Sequence, residues 1–420
     1  MRRLPAPQCL LSLLLLWAPP PGRAQTPLPP PLLPLTAEGP ELRSAAALLM
    51  DAATGAVLYA KNPDREIPPA SLTKLMTMHL ALEAADRIGL DRAREPPPES
   101  WAANQPPRSS LMFLAPGQTV TLREILLGLA VSSGNDAAIA AALSAAPTVR
   151  DFVEMMNREA RRLGLVKTRF VEPSGISEHN TTTAAEFAAF CRAYLEAHPE
   201  SLAAYHSAPS FAWPPASAVP AAFRDRPGTI VQENRNTLLR TFPGVDGLKT
   251  GYIDEAGYNI ALTAEREGTR FIAVILGAPA RPGGDHIRDE DGRRLLDWAF
   301  DRFKTIRYSP GPLAPARIWK GKTNHVPLAL GEPPAFTAPA DRGRRLRTVT
   351  TLRDPLTAPL EDGTPVGELI ISDDQGELHR TPLLTAAPCE QAGLFKRIWD
   401  SIRLFFRPRP SRATAKLHAS

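Results

Sequence analysis

The feature that most limits how this chain can fold is the stretch 257–278, "GYNIALTAEREGTRFIAVILGA", two apolar runs on either side of a turn near Glu267 and Gly268. Their Ile, Val and Phe content, interrupted by a glycine, specifies an antiparallel hairpin. A second hairpin signal lies far upstream at 45–60, "AAALLMDAATGAVLYA", with its turn around Ala53, Thr54 and Gly55. Between the two hairpins the spacing of apolar residues is helical. From Ser71 to about Ile88, Leu72, Leu75, Met76, Leu80 and Ala84 recur every three to four positions, and Gly89 is a natural stop. "TLREILLGLAV", "VRDFVEMMNREARRLG" and "TAAEFAAFCRAYLEAH" repeat the pattern, and "DGRRLLDWAFDRFKTI" reads as the last helix of the region. Strand pairs at both ends with helices between predict an α+β unit whose terminal strands share one antiparallel sheet.

After Tyr308 the character changes to short β-prone pieces set between Pro and Gly, such as "ARIWKG", "RLRTVTTL" and "GELIISDDQGELHRTPLL". These predict a small all-β domain over 309–387. A chain of 420 residues is long enough for two cores of this kind. Residues 1–24 have two arginines, an apolar run from Cys9 to Ala18, then prolines and small residues, the pattern of a secretory signal peptide cleaved after Ala24. The run is about half the ~20 residues a membrane span needs. A proline-rich linker, 25–39, follows it.

The mature chain keeps two cysteines, Cys191 and Cys389, far apart, so neither a disulfide framework nor a metal-ligand spacing is expected. A net charge of +5 comes with no nucleic-acid recognition motif, which argues against a nucleic-acid partner. At 393–407, "GLFKRIWDSIRLFFR" places Leu394, Phe395, Ile398, Trp399, Ile402, Phe405 and Phe406 on one helical face, with Lys396, Arg397, Asp400, Arg403 and Arg407 opposite. That pattern fits a helix lying in an anionic membrane interface; a terminal helix docked on the β domain is the alternative. A basic, disordered tail, 408–420, completes the chain.

Three short motifs carry possible chemistry. In "PPASLTKLMT" Ser71 and Lys74 are one helical turn apart, close enough for an amine to deprotonate a hydroxyl, although Ser is also a common helix cap and Lys a common solvated residue. "VSSGNDAA" puts Ser133 and Asn135 in a tight turn, and "VDGLKTGY" puts Lys249, Thr250 and Gly251 just before a predicted strand. Each alone reads equally well as an ordinary turn. Their order, S-x-x-K then S-x-N then K-T-G, is the motif set of penicillin-binding proteins and class A β-lactamases.

With these motifs, "SSLMFLAPGQTVTLREILLGLAVSSGNDAA", "ENRNTLLRTFPGVDGLKTGYIDEAGYNIALTA" and "RFIAVILGA", the chain resembles the D-alanyl-D-alanine carboxypeptidases, low-molecular-mass penicillin-binding proteins of the peptidase family S11 type. The resemblance is close over about 40–305 and extends in layout to the rest. It implies a serine β-lactamase/transpeptidase-like catalytic domain over 40–305, an acyl-enzyme on Ser71, Lys74 as base with its pKa lowered by burial and by the nearby positive charge of Lys249, and Ser133 and Asn135 as proton relay and substrate clamp. It further implies that Thr250 and Arg288 bind the substrate carboxylate, that the backbone N–H groups of Ser71 and Tyr252 form an oxyanion hole, and that no cofactor is used. Tyr252 and Ser174 stand where a close relative has histidine. The implied enzyme trims the terminal D-alanine from peptidoglycan stem peptides, is acylated by β-lactams, and works on the periplasmic face of the cytoplasmic membrane. A D,D-endopeptidase, a β-lactamase of the same fold and a non-catalytic envelope scaffold are the alternatives.

Overall fold

A computed structural model of the protein describes residues 39–219, 228–331 and 334–407. The expected signal peptide, nearly all of the proline-rich linker and the basic tail lie outside the described residues. Strands β1 (Ala46–Asp51) and β2 (Val57–Lys61) form the first hairpin. Strands β3 (Ser210–Trp213) and β4 (Ile230–Glu233) make a separate ribbon, and β5 (Val245–Ile253), β6 (Gly257–Arg266) and β7 (Thr269–Ala278) form a meander. The two hairpins meet through the β1–β7 pairing, giving one five-stranded antiparallel sheet in the order β2-β1-β7-β6-β5.

Successive side chains of a strand face opposite ways, and β1 feeds two cores. Leu48 and Met50 join the core under the helices α1 (Lys74–Glu83), α2 (Ala85–Ile88), α3 (Leu122–Leu127), α4 (Asn135–Ala145), α5 (Val149–Arg162) and α6 (Ala184–Ala197). Ala47 and Leu49 face the other way, toward the short α7 (Leu238–Thr241) and the long α8 (Gly284–Arg302), where they pack with Leu295, Leu296 and Ala299. Helices on both faces explain why the middle residues of β6 and β7 are buried in succession rather than alternately. The starts of α3, α5 and α6 are capped by Thr121, Thr148 and Thr183, whose hydroxyls accept the N–H three residues on.

Three expectations need correction. The helix read from Ser71 to Ile88 is a 3-10 turn over Ala70–Thr73 followed by α1 and α2, and every residue of α1 from Lys74 to Ala81 is buried. The apolar repeat marks a central helix enclosed on all sides, not a helix with a wet face. In "DGRRLLDWAFDRFKTI" the last residues leave α8 and enter strand β8 (Phe303–Arg307). The K-T-G tripeptide lies inside β5 instead of before it. Gly251 suggested a turn, but it sits where the segment carrying Ser71 passes closely: a Cβ there would meet the backbone atoms Pro69 O and Ser71 N, both at 3.0 Å.

The rest of the chain is β-rich. It holds β9 (Ala316–Arg317), β10 (His325–Val326), β11 (Leu328–Leu330), β12 (Ala335–Pro339), β13 (Arg347–Leu352), β14 (Pro365–Asp373) and β15 (Gly376–Thr385), with a four-stranded sheet ordered β11-β15-β14-β13. Strand β12 pairs with β8, so the two parts share a ribbon. At that joint the fully buried Asp51 of β1 accepts hydrogen bonds from Thr305 Oγ1 (2.7 Å) and Thr337 Oγ1 (2.8 Å).

The final helix, α9 (Leu394–Phe405), docks by its polar side. Asp400 is buried and accepts from the Lys320 backbone N–H (2.7 Å), and the Arg403 and Arg407 guanidinium groups lie 6.0 and 5.8 Å from the Trp319 ring centroid. Leu394, Phe395, Ile398, Trp399, Ile402, Phe405 and the adjoining Phe406 point outward, 46–91 % exposed. Among the described residues no helix is long and apolar enough to cross a membrane.

Candidate active site

Ser71 sits in the 3-10 turn that leads into α1. The preceding Ala70 has φ of 50°, a left-handed conformation that costs a side-chain-bearing residue about 1–2 kcal/mol. Neighbours hold it there. Asn259 of β6 donates from Nδ2 to Pro68 O (2.9 Å), while β5 passes on one side at Gly251 and a turn at 172–177 passes on the other at Gly175. A Cβ on Gly175 would lie 1.8 Å from Ala70 O, so only glycine fits.

Lys74 is the first residue of α1 and has no exposed surface. Its Nζ lies 2.9 Å from Ser71 Oγ, 2.8 Å from Asn135 Oδ1 and 2.5 Å from Ser174 O. Burial lowers its pKa to about 7, against the opposing pull of the Glu172 and Asp136 carboxylates and with some help from Arg235. The sequence assigned that help to Lys249. In the structure Lys249 is itself held well below its usual value, by burial first and then by Lys74, Arg235 and Arg288. Burial is therefore what makes Lys74 available as a neutral amine near pH 7.

The second motif is built at a helix junction. After α3 the chain widens into a π-helical turn, Gly128–Ser132, and Ser133 takes a left-handed conformation (φ 57°) that redirects it into α4. Asn135 begins α4; its amide nitrogen donates to Ser109 Oγ (3.2 Å), which turns Oδ1 toward Lys74. Ser133 is buried beside it, and its hydroxyl makes no hydrogen bond among the described residues. Asp136, fully buried, gathers the backbone N–H groups of Met112, Phe113 and Leu114 (2.7–3.1 Å) and so fixes the segment that faces Asn135.

On the opposite wall, β5 presents Lys249 and Thr250, both nearly buried, along the outer edge of the sheet. Lys249 Nζ donates to Thr250 O (2.9 Å). Tyr252 is partly exposed; its hydroxyl donates to Asp254, its ring lies 4.3 Å from that of Tyr258, and its backbone belongs to the same strand as Lys249 and Thr250. Arg288, buried on α8, is an electrostatic neighbour of Lys249 and pairs with Asp289 (2.6 Å). The fold thus brings the three motifs together.

Residues that sequence reasoning missed complete the site: Arg235, which donates to Ser110 Oγ (2.8 Å), the buried Asp136, and Glu172. Their visible signals are "ENRN", the aspartate after "SGN", and the carboxylate just ahead of the "PSG" turn. The two cysteines, both buried and free, lie outside these contacts, and burial pushes the Cys191 thiol up.

Known proteins share these features. A family model described as D-alanyl-D-alanine carboxypeptidase matches residues 34–280, and one described as the C-terminal domain of penicillin-binding protein 5 matches 310–391. The chain is 34% identical to D-alanyl-D-alanine carboxypeptidase DacC of Escherichia coli, over 88% of this chain and 90% of the relative. Penicillin-binding protein 5 from Haemophilus influenzae superposes with a TM-score of 0.75 at 29% identity, covering 84% of this chain and all of that one. Penicillin-binding protein D2 from Listeria monocytogenes, solved in a cefotaxime-bound form, superposes with a TM-score of 0.53 at 29% identity, over 63% of this chain and 100% of its own. On the motifs, the fold and these likenesses together, the chain belongs to the D-alanyl-D-alanine carboxypeptidases of peptidase family S11.

Proposed function

We propose that Ser71 carries the acyl group in this carboxypeptidase and that Lys74 is its base. The observation behind this reading is the Lys74 Nζ–Ser71 Oγ contact of 2.9 Å on a lysine whose pKa is lowered to about 7. A neutral Lys74 takes the Ser71 proton as Oγ attacks the carbonyl between the last two D-alanines. The oxyanion is received by the N–H groups of Ser71 and Tyr252, each worth about 3–4 kcal/mol in comparable sites. Ser133 and Asn135 relay the proton to the leaving amine and orient the substrate amide. Thr250, Gly251 and Lys249 line the side where the terminal carboxylate enters, and Arg288 adds positive charge there. Water then releases the acyl group. β-Lactams present a strained amide to the same hydroxyl, and penicillin-binding protein D2 of similar fold has been solved with cefotaxime bound.

The same reading places the enzyme on the periplasmic face of the cytoplasmic membrane, reached through an export signal at 1–24 and held by the outward apolar face of α9 on anionic lipid. The test of the catalytic assignment uses the mature protein and its Ser71→Ala variant with a muropeptide ending in D-Ala-D-Ala and with fluorescent penicillin. Free D-alanine and a covalent label from the parent alone are expected. Rapid penicillin turnover without D-alanine would instead indicate a β-lactamase, and labelling of the variant would remove Ser71 from its role.

A further inference from the structure

The buried turn behind Lys74 has a carboxylate at its centre that the reaction as described does not use. Glu172 Oε2 accepts from Ser174 N (2.7 Å) and Ser174 Oγ (2.5 Å), and Oε1 accepts from Gly175 N (2.6 Å) and Asn180 Nδ2 (2.9 Å). Asn180 also reaches Thr73 Oγ1 (3.2 Å), and Thr77 Oγ1 donates to Pro173 O (2.7 Å), so the turn is fastened to the segment that carries Ser71 and Lys74. Both carboxylate oxygens face donors only. A glutamine here would set an NH2 group against N–H groups.

The turn decides how Lys74 points. A neutral amine has two N–H bonds and one lone pair. Of the three atoms around Nζ, Asn135 Oδ1 and Ser174 O can only accept, so they take the two N–H bonds and leave the lone pair facing Ser71 Oγ. Without the Ser174 carbonyl, one N–H is free to swing onto Ser71 and the amine stops being its base.

We propose that Glu172 is a positioning residue for acylation: it closes the 172–177 turn so that the Ser174 carbonyl orients the Lys74 amine. The assignment rests on Lys74 being the base. The charges facing Lys74 are Glu172 from the turn, Asp136 from α4, Arg235 from the segment after β4, and Lys249 from β5. Glu172 favours the ammonium form, so its loss lowers the pKa of Lys74. Acylation requires the amine and rises with pH through that pKa, so the acid limb must move to lower pH even as the plateau falls.

The experiment follows fluorescent-penicillin labelling rates of the mature chain from pH 5 to 9. Glu172→Gln is expected to lower the plateau about tenfold to a hundredfold, the loss typical of a misplaced catalytic group, and to shift the acid limb to lower pH. Glu172→Asp, which keeps the charge, should hold the limb in place and recover much of the plateau. A Glu172→Gln profile with its limb unmoved, or Glu172→Asp behaving like Glu172→Gln, overturns the proposal. Should Glu172→Gln not fold, Ser174→Ala decides: it strips a hydroxyl donor from the carboxylate but keeps its charge, so the plateau must fall while the limb stays in place, and a parental plateau there overturns the proposal too. Lys74→Met alongside separates the two readings. Lost labelling in Lys74→Met with a parental Glu172→Gln profile removes Glu172 alone, whereas parental labelling in Lys74→Met removes the base itself.

Discussion

The Ser71 site and helix α9 invert the usual sorting of side chains in opposite directions. The site buries two lysines, Lys74 and Lys249, while α9 and Phe406 present seven large apolar side chains to solvent. Taking an ammonium out of water costs several kcal/mol, and each large apolar side chain left outside forgoes about 1.5–3 kcal/mol. The difference lies in where compensation comes from. Lys74 is met within the chain, by Ser71, Asn135 and Ser174, so the site is complete as folded. Nothing among the described residues covers the outward face of α9, while its polar face is bonded to the β-rich part through Asp400. A helix that docks by its charged side leaves its greasy side for something else, and a lipid surface suits it.

The largest expected effect breaks the first half of the comparison. Lys74→Met should lower acylation by about 10²–10⁴-fold, the usual worth of a general base, while the thermal midpoint at pH 7 rises because a buried charge site becomes apolar. For the parent, labelling should fall about tenfold per pH unit below a limb near 7. Retained acylation with a lowered midpoint would make Lys74 a structural residue.

The other half is tested on lipid. Phe395→Glu with Trp399→Glu should weaken binding to vesicles of anionic phospholipid by about tenfold or more, with D-alanine release from soluble muropeptides unchanged. Undiminished pelleting would show that the outward face is not what meets the bilayer. The smallest effect is expected at the dock itself. Asp400→Ala removes the charge-assisted hydrogen bond to the Lys320 N–H, worth about 1.5–3 kcal/mol, together with a longer contact to Lys396 in the same helix, and should speed amide exchange at Lys320 and in α9 without changing catalysis. Unchanged exchange would mean that the arginines around Trp319 hold the helix alone.

Much of the molecule was legible because its signals are local. Both hairpins, the helix periodicity, the order of the three motifs and the two-faced pattern of 393–407 are readable within short windows. What escaped depends on contacts between distant segments. Gly251 read as a turn residue because a sequence does not show that the backbone at Pro69 and Ser71 presses against it. The left-handed Ala70 just ahead of Ser71, packed against Gly175 and Gly251, is likewise invisible in the sequence. Burial of Lys74 was expected from the role the resemblance gives it, but the added positive charge was assigned to Lys249 where Arg235 supplies it, because a motif lysine can be guessed and a contact with a distant arginine cannot. Glu172 escaped for the same reason: its work is done through hydrogen bonds that exist only once the turn has closed.

The joint at Asp51 has a mechanical consequence. That carboxylate ties the central sheet to the β8–β12 ribbon through Thr305 and Thr337, so the part bearing Ser71 and the part bearing α9 are braced together instead of strung on a loose tether. Were α9 to rest on a bilayer as proposed, such a brace would act as a strut, and the height of the catalytic mouth above the lipid would be a property of the fold.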